Sequence, residues 1–179
     1  MAIKRYVAES DNTITNAFEA NLSTRATKAN MGAADVLETF VIHGQTSASI
    51  SAENAEEARI IIQFPISGTD TAIQTIHRDR NDKKIPAQGK VSFYLRLFNA
   101  PHAESTPEDF DLDVKILSRN WNEGRGLDMD TYSDTGFSSW VSASSGSAWN
   151  EPGADYHSLT DTDNFSASVN FKHGFENIE

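Results

Sequence analysis

From Trp121 to Tyr156 the chain reads W-N-E-G-R-G-L-D-M-D-T-Y-S-D-T-G-F-S-S-W-V-S-A-S-S-G-S-A-W-N-E-P-G-A-D-Y, and this stretch holds all three of its tryptophans. Gly, Ser, Asp and Asn dominate it. These residues favour turns and compete for backbone hydrogen bonds, so neither a regular helix nor a long strand is expected here. Long segments without secondary structure belong in a compact fold only when they are functional or tied down by their own side chains. The ties are legible: Trp121, Tyr132, Phe137, Trp140, Trp149 and Tyr156 punctuate the polar sequence. Each can bury an apolar face while its N–H or O–H finds a partner at the edge. The rest of the chain must therefore supply a surface for those rings.

That surface reads as β-structure. Ile3 to Val7 and Asn12 to Phe18 read as short strands around the turn-like Glu9-Ser10-Asp11-Asn12, and Val36 to Ile42 as a third. The run Arg59-Ile60-Ile61-Ile62-Gln63-Phe64 is β-branched, compact and ended by Pro65, the signature of a largely buried strand. Asp70 or Thr71 is placed to cap a short helix carrying Ile73 and Ile76. Val91 to Phe98 alternates most clearly, with Val91, Phe93, Leu95 and Leu97 on one face. Asp111 to Ser118 turns Leu112, Val114 and Ile116 inward, and Phe165 to Phe171 does the same with Ala167 and Val169. The expected inward set is Ile61, Phe93, Leu95, Val114, Ile116 and Val169. Many short strands separated by turns, with one or two short helices and long ordered loops, predict an all-β antiparallel sandwich of jelly-roll type.

The chain has 179 residues, enough for a single domain over 1–179 with a sizeable core. Lys+Arg 15 against Asp+Glu 26 leaves a net charge of −11, which argues against a nucleic-acid groove or an anionic membrane as partner. Cysteine is absent, so no disulfide framework and no thiolate zinc site is available. Met1 to Tyr6 lacks the apolar run and cleavage site of a signal peptide, and no apolar run is long enough to cross a bilayer. A soluble protein made in a cytoplasm is expected.

Three stretches taken together carry a resemblance: Arg59 to Pro65, then Val91-Ser92-Phe93-Tyr94-Leu95-Arg96-Leu97-Phe98-Asn99, then Trp121-Asn122-Glu123-Gly124-Arg125-Gly126 onward to Trp149. They resemble a DNRLRE-type jelly-roll module. The G-L-D-M-D-T-Y-S-D-T-G-F-S-S-W and A-W-N-E-P-G-A-D-Y stretches are similar to structural proteins of marine tailed bacteriophages, over roughly residues 12–175. The resemblance implies a non-enzymatic β-sandwich used in virion building, adhesion or carbohydrate binding. It also carries a departure, because related sequences continue past the equivalent of Phe175 into a further strand. The expectation is thus a sheet edge near Glu179 completed by residues beyond it or by a neighbouring subunit.

Candidate chemistry is sparse. Glu123 with Asp128 or Glu151 would have to serve as the paired carboxylates of a glycoside hydrolase. Scattered surface charge explains them better in so acidic a chain. The five histidines are isolated, with no metal or triad spacing. Asp128, Asp130 and Asp134 are the best oxygen donors for a hard cation such as calcium, with Asp161 and Asp163 behind them. Trp140, Trp149, Tyr132 and Tyr156 are the candidates to contact a glycan or protein partner, the competing role being to anchor the loop. The reading is a bacteriophage virion structural protein, capsid decoration or tail-associated, located in the virion and made in the host cytoplasm. Its expected partners are other virion proteins, further copies of itself or a cell-surface glycan. A carbohydrate-binding module of an adhesin or tail fibre is the alternative, with a glycoside hydrolase behind it. No cofactor is expected other than calcium.

Overall fold

In the computed structural model the described residues are 3–43, 55–68, 73–87, 89–100, 109–157, 166–172 and 177–178, with the side chains at 43, 130–132, 166–169, 171, 172, 177 and 178 outside the description. The elements are β1 (Ser10–Thr15), β2 (Ala29–Asn30), β3 (Phe40–His43), β4 (Ala55–Gln63), α1 (Ile76–Asn81), β5 (Leu97–Phe98), β6 (Asp109–Lys115), β7 (Asp128–Ser133), β8 (Ser142–Ser144), β9 (Ser147–Ala148), β10 (Ser166–Lys172) and β11 (Asn177–Ile178). Among the described residues the regular elements are mostly strands, every pairing is antiparallel, and one short helix is present. The all-β expectation is met at that level.

The chain divides into two compact units. The first comprises Met1–Ile76 with Arg119–Asp155, and the second His77–Ser118 with Tyr156–Glu179.

The first unit is built on a three-stranded sheet in the order β1-β4-β3. β4 is its centre because Ile60, Ile61 and Ile62 fit a covered pleated surface on both faces. Ile61 is 4 % exposed and lies opposite Asn12 of β1. β1 departs from the expected in–out alternation, since Asn12, Thr13, Ile14 and Thr15 are all buried. Their polar atoms are satisfied locally: Thr15 Oγ1 donates to Glu57 O (2.7 Å), and Thr13 Oγ1 accepts from Glu38 N (2.9 Å). The remaining core is small residues, Ala17, Ala26, Ala29, Ala58, Ala143 and Ala154, around Met31 and the three tryptophans. Alanines leave room that only large rings fill to native packing density.

The second unit pairs β6 with β10, from Ser166↔Lys115 to Lys172↔Asp109, and β5 with β11.

Several expected elements differ. Ile3 to Val7 is not a strand, and Ile3 and Val7 are 91 % and 74 % exposed. β1 begins at Ser10, inside the expected turn, while β3 covers only the end of the expected Val36 to Ile42 strand. The helix starts at Ile76, leaving Ile73 outside it and exposed; Asp70 and Thr71 lie outside the described residues. The largest correction is Val91 to Phe98. Only Leu97 and Phe98 are in a ladder, and Phe93 is 61 % exposed. Alternation measures fitness for a half-covered sheet, but a strand exists only where a neighbour takes its backbone groups. Val114 and Ile116 are likewise exposed, Leu95 is half-buried, and the Val169 side chain lies outside the described residues. The segment after Trp121 is also more ordered than a loop, since Asp128–Ser133 forms β7 and pairs with β2.

Candidate functional site

Three side-chain nodes organise the stretch from Trp121 to Asp155: the first two tie it to the sheet of the first unit, and the third closes the stretch on itself together with Arg119. The first is polar. Asn30 Nδ2 donates to Glu123 O (2.6 Å) and Ser138 O (2.8 Å), while its Oδ1 accepts from Gly32 N (3.1 Å) and Gly126 N (2.9 Å). Beside it, Asn12 Nδ2 donates to Ser138 Oγ (2.8 Å) and Ser138 O (3.2 Å), and Asn12 Oδ1 accepts from Met31 N (2.8 Å). Asn12, Asn30 and Ser138 are each fully buried. A carboxamide suits this position because it offers two donors and two acceptor lone pairs in one plane, matching backbone groups of both signs. Gly124 completes the node. Its φ is +89° and a Cβ there would overlap the Asn30 carboxamide, so a side chain is refused on both counts.

The second node is Trp140 under Arg59. The guanidinium of Arg59, on β4, stands 4.9 Å from the Trp140 ring centroid. It also donates to Gly153 O (2.8 Å) and pairs with Glu57 (2.8 Å). Gly153 N donates to Trp140 O (2.7 Å), and with φ +92° a Cβ at residue 153 would strike both Arg59 and the indole.

The third node is Trp149 with Arg119 and Asp155. Trp149 Nε1 donates to Ser139 O (2.8 Å). Arg119 donates to Ala148 O (2.8 Å), Ser147 Oγ and Asp155 Oδ2 (3.3 Å). Asp155 also accepts from Asn150 N (2.8 Å), Asn150 Nδ2 (2.9 Å) and Glu151 N (3.1 Å). Burial alone would raise the Asp155 pKa, but the two amides and Arg119 outweigh it and hold the carboxyl below its ordinary 3.8.

A carboxylate pair lies where β1 meets the start of this stretch. Glu123 Oε1 accepts from Asp11 N (2.7 Å), taking an N–H that points away from β4. Burial first, and the Glu123 charge second, raise the Asp11 carboxyl above 3.8.

These placements separate the expected site residues. Trp140 and Trp149 are 7 % and 5 % exposed, with Trp121 at 9 %, so the rings face inward as anchors. Tyr156 is 44 % exposed and belongs to the second unit, where Lys115 Nζ stands 4.5 Å from its ring centroid. The Tyr132 side chain lies outside the described residues. Of the aspartates proposed for calcium, Asp128 lies in β7 opposite Asn30, and Asp134 Oδ2 accepts from Arg125 N (2.7 Å). The Asp130 side chain, Asp161 and Asp163 lie outside the described residues, and no group of three or more metal-ligating side chains occurs among those described. Glu151 is exposed.

Asn12, Asn30, Ser138, Arg59, Arg119 and Asp155 were not singled out by the sequence reading. One local signal was available: Asn150-Glu151-Pro152-Gly153 reads as a turn, which brings Asp155 back toward the amides of Asn150 and Glu151. Compared with known proteins, the chain matches no family model, no curated protein and no solved structure.

Proposed function

We propose that the chain is a virion structural component of a tailed bacteriophage, a capsid-decoration or tail-associated protein that acts by protein–protein assembly on a jelly-roll-type β-sandwich. The observation that carries the reading is β3. It is the outer strand of the β1-β4-β3 sheet, pairs among the described residues only with β4, and exposes Val41 and Ile42 at 77 % and 48 %. Apolar side chains on an outer strand are a liability for a protein that acts alone and an asset for one that is built into a larger assembly. The inward-facing tryptophans support the same reading, since they stiffen the chain instead of lining a cleft. Quantitative protein composition of purified particles tests it. The chain should be present at a fixed copy number, and its absence from washed particles would contradict the proposal.

One observation favours carbohydrate binding as a second reading: Tyr156 keeps an exposed aromatic surface beside Lys115. Binding on a glycan array, abolished by Tyr156→Ala with the fold intact, would establish that reading.

A further inference from the structure

The two edges of the β1-β4-β3 sheet are finished differently. At β1 the outward N–H of Asp11 is taken by Glu123 Oε1 (2.7 Å). At β3 the register leaves the central residue facing out. Val41 lies opposite Glu57 of β4, and both backbone groups of Glu57 are directed to the other side: its O accepts from Asn16 N (3.1 Å) and its N donates to Asn16 Oδ1 (2.6 Å). Val41 and Glu57 are therefore a non-hydrogen-bonded pair, so the N–H and C=O of Val41 point to the outer edge, while Phe40 and Ile42 face Ala58 and Glu56. Among the described residues no strand lies beyond β3, and Val41 and Ile42 are both exposed. Phe40-Val41-Ile42-His43 also lacks the devices that usually protect an edge, with no Asp, Glu, Lys, Arg or Pro in it and no bulge in its register.

We propose that β3 pairs antiparallel with β3 of a second copy, about a two-fold axis at Val41. Val41 then exchanges both backbone hydrogen bonds with Val41 of the second copy, and Phe40 lies beside Ile42, so each cross-strand pair is apolar. The axis falls at Val41 because only there does the outward-facing segment pair over its full length, with Thr39 opposite His43. An isologous contact needs a patch complementary to itself, and an uncharged apolar strand is one. Charge allows two copies of a chain at −11 to meet here. Glu38, just before the strand, stands about six residues from its counterpart across the axis, roughly 20 Å and well beyond the ~8 Å screening length of physiological salt. Glu57 is held by Arg59 (2.8 Å), and Glu56 is buried. With β1 blocked by Glu123, the joined sheet ends on both sides, so this contact closes as a dimer and does not propagate. Four residues a side make a contact well under the about 1,200 Å² of a stable complex, so the pairing is weak in free solution and reinforced where copies are held side by side in a particle. It names the partner for the assembly reading and rests on that reading for its biological setting.

Amide hydrogen exchange and sedimentation velocity of the full chain, from dilute solution to about 1 mM, test it. Phe40 and Ile42 should be protected by β4 at every concentration, while Val41 exchanges freely when dilute and becomes protected as dimer forms. Sedimentation should show monomer and dimer only. Val41→Lys and Val41→Glu each set like charges against each other at the axis and should weaken dimerisation by about tenfold or more. An equimolar mixture of the two should regain it as a mixed dimer, and Val41→Thr, uncharged and β-branched, should dimerise within a few fold of the wild type. Near-UV circular dichroism checks that each variant keeps its fold, and the exchange of Val41 in the wild type needs no variant at all. A chain that stays monomeric throughout, with Val41 exchanging freely, overturns pairing with a second copy while leaving assembly with a different virion protein standing. Dimers indifferent to both charges, or a mixture that does not regain association, overturn the pairing at Val41. A chain that dimerises as described yet is absent from particles contradicts the virion reading alone.

Discussion

A buried carboxamide does at Asn30 what no apolar residue of its size could do: it satisfies two carbonyls and two amides that meet in the interior. Asn30→Ala should cost about 2–4 kcal/mol in a denaturant titration, because four backbone groups lose their partner away from water. Asn30→Asp is the sharper test. Its carboxylate would face the Glu123 and Ser138 carbonyl oxygens, so the loss should be largest at neutral pH and shrink in acid, where the protonated acid regains a donor. The two shifted carboxyls make opposite contributions to acid stability. Asp155, held below 3.8, adds stability that is complete above that value and disappears as pH falls through its lowered pKa. Asp11, raised above 3.8, opposes folding at neutral pH, and that opposition fades as pH drops through its raised value. Asp11→Asn should therefore raise the melting temperature at pH 7 and lose that gain in acid. Asp155→Asn should lower it at pH 7 and approach the wild type in strong acid.

Among the elements, β4 and the Val91–Phe98 segment show what a strand pattern does and does not reveal. Both read as strong strands, yet among the described residues only β4 lies in a ladder along its whole length, with neighbours on both sides. Ile61→Ala should cost about 2–5 kcal/mol, the range for a large core truncation, whereas Phe93→Ala should leave the isolated chain's stability almost unchanged. The ordering of the two values, measured by chemical denaturation, checks the assignment. Trp149→Phe keeps most of the ring but removes the donor to Ser139 O, and should cost about 1–3 kcal/mol. The anchoring of the long polar stretch by its tryptophans was legible, because widely spaced rings are all that such a sequence can bury. The ladder at Asp128–Ser133 was not: D-M-D-T-Y-S lacks strong alternation, and its pairing is set by Ala29 and Asn30, remote in sequence. The asparagine node was hidden for a related reason. A buried Asn differs from its solvated neighbours only through partners that the fold delivers, and Ser138 lies on a distant part of the chain.

At the scale of the molecule, the tryptophan-bearing stretch is framework, fixed to the β1-β4-β3 sheet within the first unit. No described helix is long and apolar enough to cross a membrane, and the net charge of −11 makes the chain as a whole self-repelling. Sheet and stretch form one cooperative body within the first unit. Native-state hydrogen exchange followed amide by amide tests it most directly. Asp11, Met31, Gly126 and Asn150 donate their amides to the Glu123, Asn12, Asn30 and Asp155 side chains. These four should exchange through the same opening, with the same free energy, as the β1–β4 ladder amides of Asn12 and Ile61. Exchange of Gly126 and Asn150 near the rate of an unfolded chain, while Asn12 and Ile61 stay protected, would contradict it.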